Sequence, residues 1–310
     1  VGTEGGDAAN PSCEDFAATV DCIASDSNSH SAGALTFGPD GKLYASLGDG
    51  ADFAAVDVRA LRAQNLDALA GKVLRINTDG TAPADNPFYT GNPNDNRSKV
   101  YALGFRNQFR LHFHPTTGKL YGGDVGWSTW EEVNDVQAGG NYGWPCREGF
   151  AAQPEYGCAA SSTTTDPVYA YPHDSNGAGS IVLGAFPDND AYPNQYDNTL
   201  FIGDYAQQFV KLLNLDAAGN FVSVSDFETG ASYPVELNRG LDGNVYYIDI
   251  AFGTLNRITH TDGNRSPVAV AAGTPTSGLT PLTVAFSSAG SFDPDADAIG
   301  FAWNFGDGTF

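Results

Sequence analysis

Short runs of alternating apolar and polar residues, each closed by a turn, recur along this chain. Leu35 and Phe37, then Leu43, Tyr44 and Ser46, predict two strands joined by Pro39-Asp40-Gly41. Proline presets φ at the first turn position, and glycine accepts the positive φ that follows. The same pattern returns over 110–122 around Thr117-Gly118 and over 235–248 around Asp242-Gly243. Related strand pairs are 72–76 before Asp79-Gly80, and 200–204 followed by 209–215 and Ala218-Gly219. Leu61, Leu66 and Leu69, ahead of Gly71, predict a short loop or helical turn leading into a strand over 73–76. Recurrent units with irregular insertions predict a β-propeller, in which each four-stranded blade buries its faces on its neighbours. About four such units are visible, and their uneven spacing leaves a β-sandwich open on periodicity alone.

The pattern changes after Thr259. A polar linker over 261–266 gives way at Pro267 to Val268-Ala-Val-Ala271, Pro281-Leu-Thr-Val-Ala-Phe286 and Phe301-Ala-Trp-Asn-Phe-Gly-Asp-Gly308. Alternating apolar strands with an aromatic-rich turn predict a small β-sandwich. The expected organisation is therefore all-β: a propeller over 1–260, the linker over 261–266, and a partial immunoglobulin-like sandwich over 267–310. Asp293, Asp295 and Asp297 read either as calcium ligands or as a solvated turn.

Composition agrees with many short strands and turns: 37 Gly, 17 Pro and 12% aromatic residues in 310. No apolar run approaches the roughly 20 residues that span a bilayer. The formal net charge is −22, and of 37 acidic residues 29 are Asp and 8 are Glu. Such a surface disfavours nucleic acid and anionic membranes, which need clusters of Lys and Arg. It fits either adaptation to high salt or an acidic secreted protein that uses Asp in its turns. The chain starts at Val1 with no signal segment and stops at Phe310 inside a motif, so both ends are expected to be truncated.

The four cysteines fall as two close pairs, Cys13/Cys22 and Cys146/Cys158. Neither pair has the Cys-x-x-Cys spacing with nearby His that marks a metal site. Four cysteines admit three connectivities, and pairing near neighbours is the simplest. Two local disulfides would imply an oxidising, extracellular or cell-surface setting.

Candidate chemistry gathers where predicted strands begin. His30 precedes the first hairpin, where a strand-entry loop would present it at one end of a sheet; a plain surface His is the alternative. Gly104-Phe-Arg-Asn-Gln-Phe-Arg110 precedes another strand. Gly123-Asp-Val-Gly-Trp-Ser-Thr-Trp-Glu-Glu-Val-Asn134 leads to Gly139-Gly-Asn-Tyr-Gly-Trp-Pro145, and Trp127, Trp130 and Trp144 read as apolar anchors between blades. With Ala70-Gly-Lys-Val-Leu-Arg-Ile76 and Asn86-Pro-Phe88, these ordered motifs make residues 12–260 resemble the soluble quinoprotein glucose/sorbosone dehydrogenase family.

The resemblance implies a six-bladed ring, with one or two blades upstream of Val1. It implies that His30 is the catalytic base and that Arg106 and Asn107 contact pyrroloquinoline quinone. It further implies that the carbonyls of Gly126 and Trp127 hold Ca2+, with Glu131 or Glu132 nearby, and that Glu131 is a further cofactor contact. A guanidinium suits a quinone that bears three carboxylates, and Ca2+ readily takes backbone carbonyls. The chain departs from the family where later blades should supply a Lys and two Arg. Ala206 or Gln207, Tyr233 and Val235 stand there, with Lys211 and Arg239 out of register. Residues 267–310 resemble the first half of a PKD (polycystic kidney disease-type) domain, with Trp303 as core residue and Asp307-Gly308 in its turn. Such modules act as spacers or adhesion elements on secreted enzymes.

These readings point to a secreted oxidoreductase that oxidises a sugar or polyol hydroxyl with pyrroloquinoline quinone and calcium. His30 would take the hydroxyl proton while a hydride passes to the quinone, and Arg106 would orient the cofactor and polarise its carbonyl. The alternative is a non-catalytic propeller that binds carbohydrate or a cell-surface partner, and the missing cations favour it. Polysaccharide or cell-surface contact is expected through the PKD-like segment.

Overall fold

The computed structural model describes residues 2–4, 13, 22–24, 27, 29–158, 163–187, 191–260, 267–293 and 297–306. The chain divides into two units, Val1–Thr259 and His260–Phe310. The expected linker over 261–266 lies outside the described residues, as do Asp295, Asp307 and Gly308.

Among the described residues the first unit has four consecutive antiparallel sheets, each threaded in simple up-and-down order, besides two two-stranded pairs, Gly2–Glu4 with Cys22–Ala24 and Arg147–Glu148 with Ala151–Ala152. The first sheet takes Ala32–Phe37, Leu43–Leu47, Lys72–Ile76 and Val100–Leu103. The second takes Gln108–Phe113, Leu120–Asp124, Trp130–Asp135 and Tyr169–Pro172. The third takes Ile181–Leu183, Thr199–Asp204, Phe209–Leu215 and Phe221–Thr229, and the fourth Pro234–Arg239, Val245–Asp249 and Thr254–Ile258. The first strands of successive sheets pack on one another, which is the inner ring of a β-propeller. The strand, turn, strand units read from the pattern are these blades. Leu61 falls in the 3-10 helix Val58–Gln64, the helical turn expected ahead of Lys72–Ile76.

The second strands of the second and third sheets, Leu120–Asp124 and Thr199–Asp204, are buried at every position because those sheets are covered on both faces, whereas in the fourth Ile248 and Leu255 stay exposed. One apolar cluster fills each junction: Tyr44, Leu111 and Leu120 between the first two sheets, Tyr121, Ile181 and Ile202 between the next two, and Phe201, Leu237 and Val245 after them. A Cβ at Gly184 would lie 2.3 Å from the Phe201 carbonyl oxygen, so only glycine permits that approach. Lys72 is fully buried, and its Nζ donates to the carbonyls of Arg62, Ala63 and Ala70 at 2.7–2.9 Å. It thereby ties the 3-10 helix to the first sheet.

Both expected disulfides are present, Cys13–Cys22 and Cys146–Cys158, and no cysteine among the described residues is free. No helix among them is long and apolar enough to cross a membrane. In the second unit Ala272–Thr274 pairs with Ala285–Ser287, and Val268 bridges Phe292. Trp303 there packs with Phe286 and Phe305 and is half-buried.

Candidate functional site

In an up-and-down propeller, every loop that enters a first strand lies at the same end of the ring as the loop that leaves the second. Here those loops meet around a cavity of about 580 Å³. His30 comes from the loop before Ala32–Phe37, Arg106 and Asn107 from that before Gln108–Phe113, and Gly177–Ser180 from that before Ile181–Leu183. Phe53, Gly126, Trp127, Tyr205 and Ala206 arrive from the loops after the second strands. Five of the residues singled out from sequence, His30, Arg106, Asn107, Gly126 and Trp127, therefore line one space.

His30 adopts φ 57°, the left-handed conformation that turns the chain into its strand. Its Nδ1 lies 3.0 Å from Oδ1 of Asp49, which is 1% exposed. Asp49 also accepts the Ala51 N–H at 3.0 Å and, through Oδ2, the Trp144 indole N–H at 2.8 Å. These donors fix the carboxylate, so the imidazole is oriented with Nδ1 towards Asp49 and Nε2 left for a ligand. The close approach of Asp49 needs Gly48, because a Cβ there would lie 2.3 Å from the His30 carbonyl oxygen. Asp49 escaped the sequence reading; its signal was the Gly48-Asp49-Gly50 step directly after a strand.

Arg106 is 5% exposed and held from both ends. Its backbone N–H donates to Asp124 Oδ2 at 3.0 Å, and the Asn107 N–H donates to Oδ1 at 2.6 Å. Its Nη1 donates to the carbonyls of Val125 and Gly126 at 3.0 and 2.6 Å, and the guanidinium lies 5.6 Å from the Trp144 ring centroid. Burial, reinforced by the Glu132 charge, raises Asp124 well above the ordinary carboxylate range. Glu148 Oε1 accepts the backbone N–H groups of Trp127, Ser128, Thr129 and Trp130 at 2.7–3.2 Å, which curls the Gly126–Trp130 loop around one carboxylate.

Glu131 does not reach the cavity. It is fully buried behind the wall, where Oε1 takes the Gly126 N–H at 3.2 Å and faces His173 Nε2 at 2.8 Å, while Oε2 takes the Ile181 N–H at 2.8 Å. His173, which does line the cavity, was not singled out from the sequence. Burial alone would depress it, but the Glu131 hydrogen bond and charge prevail and raise it above its ordinary value. Burial also raises Glu131.

The sequence departures have structural counterparts. Ala206 lines the cavity, and the Tyr205 and Tyr233 rings pack at 5.3 Å. Lys211 Nζ faces Asp226 at 3.3 Å and Arg239 borders a different cleft with Tyr246 and Leu255, so neither reaches this site. Among the described residues, Arg106 is the one Lys or Arg side chain in the wall. The described residues contain no group of three or more His, Cys, Asp or Glu able to hold a metal ion.

The model of the glucose/sorbosone dehydrogenase family matches residues 7–256. The chain is 34% identical over 176 residues to quinoprotein glucose dehydrogenase B of Acinetobacter calcoaceticus, covering 51% of this chain and 36% of that protein. It is 30% identical over 228 residues to an uncharacterized protein of Synechocystis sp., covering 71% of this chain and 53% of that one. A solved glucose dehydrogenase superposes with a TM-score of 0.61 at 28% identity, covering 75% of this chain and 64% of that one. The chain thus spans about a third to two thirds of the length of these relatives.

Proposed function

The chain belongs to the glucose/sorbosone dehydrogenase family, and we propose that it carries the catalytic half of a quinoprotein-type sugar dehydrogenase. The observation that carries this reading is the convergence of an oriented imidazole, His30 on Asp49, with Arg106 and Asn107 on one cavity. In this reading a sugar or polyol hydroxyl sits against His30 Nε2, which takes its proton. Asp49 holds the ring in the required tautomer and stabilises the imidazolium that forms. Pyrroloquinoline quinone, when bound, would supply the two-electron acceptor. Phe53, Trp127 and Tyr205 give the cavity apolar surface.

The residues present fit that cofactor. Arg106 uses Nη1 on two carbonyls and keeps the rest of its guanidinium for an acceptor. Calcium belongs to the proposal through the carbonyls of Gly126 and Trp127, of which the first already accepts from Arg106. Secretion is supported by the two disulfides. A PKD-type identity for 267–310, with polysaccharide or cell-surface contact, is supported by its strand pairing and the Trp303 cluster.

Calorimetric titration of the full-length protein with pyrroloquinoline quinone at saturating Ca2+ tests this. Saturable binding is expected, and none at any concentration would refute it. A non-catalytic carbohydrate-binding propeller is the second reading, favoured by Ala206 and Tyr233 where cations were expected. Aldose binding that needs no cofactor and brings no dye reduction would establish it instead.

A further inference from the structure

We propose that Glu148 is a positioning residue for the cavity wall, fixing the direction in which the Gly126 and Trp127 carbonyls point. The inference rests on the cofactor and calcium reading above and adds a residue to it. Glu148 is 2% exposed, whereas Gly126 and Trp127 line the cavity. Its Oε1 accepts four successive backbone N–H groups, those of Trp127, Ser128, Thr129 and Trp130, at 2.7, 2.9, 2.9 and 3.2 Å. The peptide bonds of this loop are trans, and in a planar trans peptide the carbonyl points opposite to the N–H. Gathering these N–H groups on one oxygen therefore turns the carbonyls of Gly126, Trp127, Ser128 and Thr129 away from Glu148. Two of them show where they go. The Gly126 carbonyl accepts from Nη1 of Arg106, a cavity residue, and the Thr129 carbonyl accepts the His173 N–H at 2.9 Å.

Glu148 is anchored at its other end as well. Its Oε2 accepts from Gln153 Nε2, and the Gln153 N–H donates to the Cys146 carbonyl at 2.8 Å. It sits in the strand pair Arg147–Glu148 with Ala151–Ala152, which the Cys146–Cys158 disulfide closes. The loop has little slack: a Cβ at Gly126 would lie 1.7 Å from the Trp130 carbonyl oxygen, and one at Gly149 2.6 Å from Trp130 Cγ. Convergent backbone N–H groups make a concavity for an anion. Here the chain supplies that anion itself, and the carbonyls turned outward are acceptors of the kind Ca2+ takes. Glu148 would thus act on the ion through the loop, without touching it.

Two measurements on full-length protein test this. Hydrogen–deuterium exchange without ligand reads the loop, and calorimetric titration of Ca2+ at saturating pyrroloquinoline quinone reads the site. Glu148→Ala removes the acceptor. Exchange of the 127–130 amides should rise at least about tenfold while that of Thr199–Asp204 stays as in the parent. Ca2+ should bind about 10- to 100-fold more weakly, the range for residues that orient metal ligands from behind. Glu148→Gln keeps an oxygen for the N–H groups, and Gln153 can turn its own amide to meet the new NH2. That variant should keep the loop protected and lose less than about tenfold in Ca2+ affinity. Should the alanine variant not fold, Glu148→Asp, which withdraws the carboxylate by one methylene, decides on the same two readouts. Unchanged exchange would show that Glu148 does not hold the loop, and a loosened loop with unchanged Ca2+ affinity would make it merely structural; either overturns the inference. Failure of the unmodified protein to bind Ca2+ and the cofactor at all is seen in the parent alone, and would overturn the cofactor reading and this inference with it.

Discussion

Asp49→Asn tests whether His30 works as an oriented base. Asp49 accepts from His30 Nδ1 and Ala51 N–H through Oδ1 and from Trp144 Nε1 through Oδ2. An amide cannot serve all three. With its oxygen towards His30, its NH2 meets the indole N–H at a spacing of 2.8 Å. Flipped, it presents a donor to Nδ1 and selects the tautomer that carries its proton on Nε2, the wrong nitrogen for accepting one. The charge that stabilises a developing imidazolium is lost in either case. A hydrogen bond to a charged group contributes about 1.5–3 kcal/mol, and about 1.4 kcal/mol in the barrier is tenfold in rate. Turnover should therefore fall about 10- to 100-fold, with the cofactor dissociation constant changed by less than about threefold. Steady-state dye reduction with an aldose gives the first quantity and calorimetry the second. Turnover within twofold of the parent, in a variant that still melts cooperatively, would refute the idea that Asp49 serves the base.

Gly48→Ala places a methyl 2.3 Å from the His30 carbonyl oxygen, and displacing a catalytic group by about 1 Å can cost about 100-fold. Turnover should drop by that order, and unchanged kinetics would show that His30 is not held by this contact. Burial pushes Glu132 up to about 7, above its ordinary 4.5, with the nearby Glu148 and Glu131 charges adding to it. Its contribution to stability is thus full below about pH 4.5 and lost as pH rises through about 7. Glu132→Gln can still accept from Gly149 N–H and can donate to the unpartnered Asn134 Oδ1, so it should flatten the fall in melting temperature across that window. An unaltered pH profile would count against a buried, protonated Glu132. Non-reducing peptide mapping should return the Cys13–Cys22 and Cys146–Cys158 links. A twelve-residue separation predicts a loss of about 3 kcal/mol when Cys146–Cys158 is reduced, seen as a lower melting temperature without collapse of the fold.

The propeller was legible because its hairpins carry strong turn chemistry. Pro39-Asp40-Gly41 and Asp242-Gly243 sit between strands whose pairing the structure confirms. The local disulfides were legible for a similar reason, since a short separation leaves few competing partners. His30, Arg106 and Asn107 stand just ahead of strand starts, and it was the family resemblance that marked them as site residues. What could not be read is whatever depends on contacts across the ring. Asp49 joins His30 from 19 residues away, and Trp144 joins Asp49 from 95. Glu131 read as a cofactor contact, yet its strand register turns it inward, 42 residues from the His173 it supports. Alternation along a strand tells which residues share a face, and here both faces of Trp130–Asp135 are covered. The pattern alone therefore could not say which face met the cavity.

His30→Ala is the most direct measurement of the central claim. Full-length protein is loaded with pyrroloquinoline quinone and Ca2+ and given an aldose and an artificial electron acceptor. Dye reduction gives turnover, and titration gives cofactor affinity for parent and variant. If His30 takes the hydroxyl proton, turnover falls roughly 10²- to 10⁴-fold while cofactor affinity stays nearly intact. Parallel loss of affinity and turnover would make His30 a binding or structural residue, and a parent that binds the cofactor without reducing dye would contradict the dehydrogenase reading itself.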